Sequence, residues 1–377
     1  MKYYIIAGEA SGDLHGANLM KYLKEQDPDA YFRFWGGDKM KAQGGNLVEH
    51  VNNLAFMGFW EVLINLKKIL KNISFCKADI LKWNPDAVIL IDYPGFNLRI
   101  AEHAKKHGIK VIYYISPQLW AWKQSRIKKI KRYVDKMLVI LPFEKNFYKK
   151  FNYEVDFVGH PLIDALENEK KKFTNTENFL AKNHLTSKPV IAILPGSRKQ
   201  EISKMLKIMS QVVSYFPGYQ FLIAGISSYS PSFYEKFTKN SNVNIVYDQT
   251  YQLLQSSSAA IVASGTATLE TALFNIPQVV CYKAGKISYY IARKLVNVKF
   301  VKYISLVNLI MGKMIVKELI QKEFNPESLK KELNKLLNDN QYRNNMLEGY
   351  IELKNKLGST GASEKAAQLI YNYLAEA

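Results

Sequence analysis

Short apolar runs alternate with segments of helical periodicity along most of the chain. In the first half, runs at 2–8, 31–36, 87–92, 110–116, 136–141 and 155–159 read as strands. Helix-like segments lie between them at 14–26, 98–107, 125–133 and 143–151. The second half repeats the plan, with strands expected at 189–194, 219–224, 243–246, 259–263 and 278–282 and helices at 201–215, 266–274 and 287–295. Strand, helix, strand in repetition gives parallel strands with crossover helices on both faces. A polar stretch at 167–188, rich in Lys and Asn and poor in apolar periodicity, separates the halves. The predicted fold class is therefore α/β, with two Rossmann-like doubly wound domains facing a central cleft. They are expected at 1–170 and 186–326, followed by a helical tail at 327–377 placed to pack back on the first domain. Ligands of such sheets bind beyond the carboxyl ends of the strands, so chemistry is expected in the strand-end turns.

Composition adds to this picture in three ways. A length of 377 residues exceeds one ordinary core, and 48% hydrophobic with 23% charged residues is a globular composition able to fill two. Fifty-two Lys and Arg against 33 Asp and Glu leave a net charge of +19. Such a field attracts nucleic acid, anionic lipid or a phosphorylated substrate, although Lys on solvated faces produces the same number. Cys76 and Cys281 have no metal-type spacing and argue against a disulfide scaffold, so a reducing, cytoplasmic location is expected. The apolar start is too short for a signal peptide, and no run approaches the roughly 18 apolar residues of a membrane-spanning helix.

The turn Gly8-Glu9-Ala10-Ser11-Gly12-Asp13 follows the first strand. It matches neither G-x-G-x-x-G, the P-loop nor G-x-S-x-G. Its glycines admit another molecule to the backbone while Glu9 and Ser11 offer polar contacts; a tight turn capped by Ser11 or Asp13 accounts for the same residues. In Ile91-Asp92-Tyr93-Pro94-Gly95-Phe96-Asn97 a carboxylate leaves an apolar strand, placed either for acid–base chemistry or to cap the next helix. The loop Ser116-Pro117-Gln118-Leu119-Trp120-Ala121-Trp122-Lys123 offers an apolar wall for a lipid chain or an anchor to the core. The basic helix that follows it suits an anionic partner or open solvent.

In the second half, Leu194-Pro195-Gly196-Ser197-Arg198 frees the backbone at Gly196 and supplies a guanidinium for phosphate. Ala263-Ser264-Gly265-Thr266-Ala267-Thr268-Leu269-Glu270 opens a helix whose N–H groups form an anion site, with Glu270 one turn in for ribose hydroxyls. Together these two turns favour a nucleotide diphosphate. His103 and His107 lack the acid of H-E-x-x-H and read as surface helix residues, and nothing in the sequence asks for a metal or another cofactor. The stretch 55–68, with Phe56, Phe59, Trp60 and Leu63 ahead of Lys67 and Lys68, reads as an interfacial membrane helix or as a buried helix with a basic end.

Taken in order, these turns resemble the lipid A disaccharide synthase family of the glycosyltransferase-B superfamily. Phe56-Met57-Gly58 with Glu61-Val62, Leu141-Pro142-Phe143-Glu144, Val158-Gly159-His160-Pro161 and Ser305-Leu306 with Asn308-Leu309 extend the match from residue 8 to beyond 308. The resemblance implies an inverting transferase that joins UDP-2,3-diacylglucosamine to 2,3-diacylglucosamine 1-phosphate and releases UDP. The product is a β-1,6 disaccharide 1-phosphate. Glu9, Ser11, Asp92, Arg198, Glu270 and Asn308 carry over on matching motifs; Asp92 is expected as the catalytic base with Glu9 as the alternative, and Ser11, Arg198, Gly265, Thr266, Glu270 and Asn308 at substrate or nucleotide. Phe56, Phe59, Trp60, Leu63, Trp120 and Trp122 are expected against acyl chains or membrane. The expected site is the cytoplasmic face of the inner membrane, bound peripherally to its lipids, without nucleic acid and with a homodimer left open. Two positions depart from the family pattern: Gly95 stands where many relatives carry an acid, and Val307 where many carry Pro. The rival readings are a UDP-N-acetylglucosamine epimerase or another UDP-sugar transferase of this fold and, more remotely, a non-catalytic RNA-binding protein.

Overall fold

The computed structural model describes residues 1–54, 66–120, 124–173, 175–238, 241–283 and 302–376. It divides into two compact units, Met1–Pro161 with Ser359–Ala377, and Leu162–Gly358. The first holds strands β1 (Lys2–Ala7), β2 (Tyr31–Gly36), β3 (Asn46–His50), β4 (Ala87–Ile91), β5 (Lys110–Tyr114), β6 (Lys136–Val139) and β7 (Asp156–Phe157). The second holds β8 (Val190–Leu194), β9 (Gln220–Gly225), β10 (Val243–Tyr247), β11 (Ser257–Ala263), β12 (Gln278–Tyr282) and β13 (Lys317–Ile320). Among the described residues every strand pairing is parallel.

The sheet orders are β3-β2-β1-β4-β5-β6-β7 and β10-β9-β8-β11-β12-β13. Counted within its own unit, each begins 3-2-1-4-5-6, the Rossmann order, and reverses direction between its first and fourth strands. The reversal therefore falls between β1 and β4 in one unit and between β8 and β11 in the other. Central strands such as β4 and β8 are buried throughout, because helices cover both faces. Alternation sorts their side chains into two cores. Tyr4, Ile6, Val88 and Leu90 fill one face of the first sheet, and Tyr3, Ile5, Ile89 and Ile91 fill the other.

Three features differ from the sequence expectation. The polar stretch 167–188 is largely helix, Pro161–Lys172 and Thr176–Lys182, and the units divide at Pro161 and Leu162. The tail does not act as one body. Helices Pro326–Asn338 and Asn340–Leu357 stay with the second unit, where Leu329, Leu333, Met346 and Tyr350 are buried and Tyr350 meets Gln278. Only the helix Ala362–Ala375 joins the first unit: Ala366, Ala367 and Ile370 enter its core beside Ala17, Leu19 and Met20 of the helix Ala10–Gln26. Finally, β3 and β13 are strands that the apolar pattern did not predict. The expected helix at 287–295 lies outside the described residues.

Candidate active site

At the first switch point the register pairs Ala7 with Ile91, so Gly8 and Asp92 leave the sheet side by side. A Cβ at Gly8 would lie 2.4 Å from the ring of Tyr93, which makes glycine necessary for that packing. Glu9 is the N-cap of the helix Ala10–Gln26 in extended conformation, without a side-chain cap bond, and is half-buried; Ser11 is exposed. Asp13 is spoken for. Its carboxylate accepts from the N–H groups of Gly37 (2.7 Å), Lys39 (3.1 Å) and Met40 (3.0 Å), capping the following helix Asp38–Ala42 and not its own.

Asp92 and Tyr93 both occupy the left-handed region, at φ 43° and 48°. Each such L-residue costs about 1–2 kcal/mol, and consecutive strain of this kind marks functional turns. The carbonyl of Asp92 accepts from Asn97 Nδ2 (2.7 Å) and the Tyr113 hydroxyl (2.5 Å), while Asn97 also reaches the Ile91 carbonyl at 3.2 Å. The N-cap of the helix Pro94–Lys106 is Tyr93, so Asp92 is not its cap. The Asp92 carboxyl opens to solvent, yet desolvation by the packed strand end pushes its pKa up to about 6. The Glu9 carboxylate adds to the push, and the Tyr93 N–H opposes it. Gly95 faces open space, with nothing within 4 Å of a side chain placed there.

A second carboxyl at this end was not assigned a role from sequence. Glu144 is 1% exposed and accepts from the Leu141 N–H at 3.0 Å. Burial pushes it up to about 8, against the pull of the Leu141 N–H and of Ser116, with the Asp92 carboxylate adding a smaller upward push. Trp120, expected against an acyl chain, is instead a packing residue. It is buried with its ring edge-on to Phe143 at 5.1 Å, anchoring the loop after β5 to the core. Phe56, Phe59, Trp60, Leu63 and Trp122 lie outside the described residues.

At the second switch point the turns after β8 and β11 line a recess of about 310 Å³, with Gly196, Gly265, Thr266 and Glu270 in its wall. Gly196 sits at φ 103°, which a side chain would strain. Arg198 stands exposed at the N-cap position of the helix Lys199–Met209, next in the chain to Ser197 of the recess wall, its Nη1 donating to Glu201 at 3.3 Å. Gly265 opens the helix Thr266–Leu273, and its α-carbon faces empty space. Glu270 accepts from the Tyr251 hydroxyl at 3.0 Å, and burial raises its pKa.

Asn308 does not line this recess. It is fully buried, donating to the Val316 carbonyl (2.8 Å) and Glu318 (2.9 Å) and accepting from the Ile315 (2.7 Å) and Val316 (3.0 Å) N–H groups. That spends its hydrogen-bonding capacity inside the fold, so its assignment to nucleotide contact is corrected to a structural clamp. Glu318 binds the Ile304 and Ser305 N–H groups, and Ser264 donates to the Ile304 carbonyl at 3.0 Å, so the clamp reaches the turn after β11. Val307 is fully buried beside it.

A larger groove of about 790 Å³ lies at the opposite, amino ends of β6 and β7, walled by Asp135, Lys136, Lys149, Asp156 and Tyr373. Ligands of parallel sheets bind at the carboxyl ends, so size does not make it the site. His103 and His107 meet ring to ring at 4.4 Å on the helix Pro94–Lys106. Among the described residues, no group of three or more His, Cys, Asp or Glu is gathered for a metal.

Two Rossmann-type sheets, one presenting a carboxylate and the other a recess at its glycine turns, define a glycosyltransferase-B fold. The fold recurs in the UDP-GlcNAc 2-epimerase of Neisseria meningitidis bound to UDP-GlcNAc, with a TM-score of 0.68 and 15% identity over 100% of both chains. The calicheamicin glycosyltransferase CalG4 gives a TM-score of 0.62 and 13% identity over 100% of this chain and 98% of its own. At those identities the likeness is one of fold alone. The Lipid-A-disaccharide synthetase family model matches residues 3–370. The Lipid-A-disaccharide synthase of Trichlorobacter lovleyi is 37% identical over 97% of this chain and 96% of its own, and that of Syntrophus aciditrophicus 39% over 96% and 95%. This chain belongs to the lipid-A-disaccharide synthase family and is a glycosyltransferase.

Proposed function

We propose that the chain transfers 2,3-diacylglucosamine from its UDP derivative to the 6-hydroxyl of 2,3-diacylglucosamine 1-phosphate. The observation that carries this reading, beyond family membership, is the placement of Asp92 and the glycine turns at the two switch points. The acceptor oxygen attacks the anomeric carbon as the bond to the β-phosphate oxygen breaks, inverting the centre. Asp92 takes the hydroxyl proton. With its pKa raised to about 6, the Asp92 carboxyl still ionises below pH 7 and can accept it. UDP leaves with the electron pair, its growing charge met by Arg198 and the N–H groups at Gly265 and Thr266, while Glu270 holds the ribose.

The acyl chains call for an apolar surface beside a basic one. Leu66 and Leu70 of the helix Leu66–Trp83 are 44% and 46% exposed, four residues apart, next to exposed Lys67, Lys68 and Lys71. Such a face binds anionic membrane without crossing it, and supports peripheral attachment at the cytoplasmic side of the inner membrane. Among the described residues, no helix is long and apolar enough to cross a membrane.

The test is mass spectrometry of the products formed from both substrates, with Asp92→Asn alongside. The wild type yields disaccharide 1-phosphate and UDP. Asp92→Asn retains UDP binding and loses about 10²–10⁴-fold in turnover. A wild type that makes no disaccharide overturns the substrate assignment, and near-normal turnover in Asp92→Asn overturns the base.

A further inference from the structure

We infer that Asn97 and Tyr113 are positioning residues of the transfer, holding the Asp92 carbonyl so that the strand end stays in its left-handed turn and the carboxylate stays at the switch point. The inference rests on the reading of Asp92 as base. Its ground is geometric. Two consecutive L-residues at φ 43° and 48° do not hold such a conformation unaided, so neighbouring groups must fix it. Here two side chains from different elements converge on one oxygen: Asn97 Nδ2 at 2.7 Å from the helix Pro94–Lys106, and the Tyr113 hydroxyl at 2.5 Å from β5. Both donor residues are fully buried, while the exposed Asp92 leaves the two bonds part-buried. Asn97 further ties the Ile91 carbonyl at 3.2 Å, and the Asp92 N–H keeps the sheet ladder to Tyr114 at 3.2 Å.

The same residues explain a polar choice that packing alone does not. A buried amide one turn into a helix is a poor helix former and costs desolvation unless its bonds are used. Asn97 spends its Nδ2 on the two carbonyls that end β4, while its Oδ1 has no hydrogen-bond partner among the described residues. The amide is thus retained for its donors. Among the described residues, Glu9 from the turn after β1, Tyr113 from β5 and Glu144 from the helix Pro142–Lys149 are the titratable groups that interact with Asp92, and Arg126 acts on Tyr113. If the turn relaxes, Asp92 leaves these neighbours for water and regains an ordinary carboxylate titration.

Tyr113→Phe removes one oxygen and keeps the ring; Asn97→Ala removes both donors. Each is expected to lower kcat about 10–100-fold with KM for the UDP-sugar within about twofold, because the donor turns belong to the other unit. The acid limb of the pH–rate profile should move from about 6 down toward the ordinary Asp value near 3.9. The deciding measurement is the cycle with Asp92→Asn. Acting through Asp92, Tyr113→Phe causes no further loss of kcat in the Asp92→Asn background. Loss that persists there in full, or wild-type kcat with an unmoved acid limb in Tyr113→Phe, overturns the inference while leaving Asp92 as base. Near-normal turnover in Asp92→Asn alone removes the base assignment, and this inference with it.

Discussion

Replacing Glu144 by Gln tests how the buried end of the first unit responds to pH. The carboxyl is 1% exposed, and its partners are neutral, the Leu141 N–H and the Ser116 hydroxyl. Its pKa rises from 4.5 in the ordinary state to about 8 in the fold. Between those values the folded chain keeps a proton that the unfolded chain has released. Stability is therefore fully present below the lower value and falls as pH rises, by roughly 1.4 kcal/mol per unit and about 5 kcal/mol across the window. Glu144→Gln keeps the shape without the titration, so it lacks this slope. All five tryptophans fall within Met1–Pro161, which makes intrinsic fluorescence a reporter of the first unit alone. Urea midpoints of wild type and variant at pH 5, 6, 7 and 8 supply the comparison. The variant should gain on the wild type with each unit of pH. A difference that stays constant, or that moves in favour of the wild type as pH rises, refutes the argument.

Three further outcomes follow from the sites described. Arg198→Ala and Glu270→Ala should each weaken UDP binding by calorimetry, Arg198→Ala by about 2–3 kcal/mol for a charged phosphate contact; wild-type affinity in both would move the nucleotide elsewhere. Leu66→Ser with Leu70→Ser should reduce co-flotation with anionic vesicles, and high salt should reduce that of the wild type, whereas unchanged partition would make this face irrelevant to attachment. Gly8→Ala should cost about 1–3 kcal/mol by fluorescence-detected unfolding, since its Cβ meets the Tyr93 ring at 2.4 Å; the cost should vanish in a Tyr93→Ala background.

The five strand-end turns were legible because each ends an unbroken apolar run in Gly, Ser, Pro or Asp, and two sheets followed from their spacing. Edge strands were not. β3 is half-exposed and carries Asn46, Glu49 and His50, so no apolar run announces it, and β13 is four residues long. Residue roles were harder still. The resemblance marked Asn308 as important, but its partners Val316 and Glu318 arrive only when β13 pairs with β12, and those bonds turn it inward. Trp120 likewise read as surface or anchor until Phe143, from another element, met its ring. Glu144 stood in the sequence only as part of a motif, and its burial beside the Leu141 N–H, which raises its pKa, comes from tertiary packing. The allegiance of the tail turned on small residues, since Ala362, Ala366 and Ala367 permit a close approach that periodicity alone does not specify.

The return of the helix Ala362–Ala375 to the first unit sets an order on biosynthesis. On the ribosome, strands β1 to β7 emerge early, yet the face of that sheet carrying Tyr3, Ile5 and Ile89 lacks Ala366, Ala367 and Ile370 until the end. All of Leu162–Gly358 is translated in the interval and holds its own complete sheet. The first unit thus waits with apolar surface uncovered until the end of synthesis, the state most open to chaperone capture or aggregation. Released chains truncated after Gly361 should be protease-resistant in the second unit and sensitive in the first.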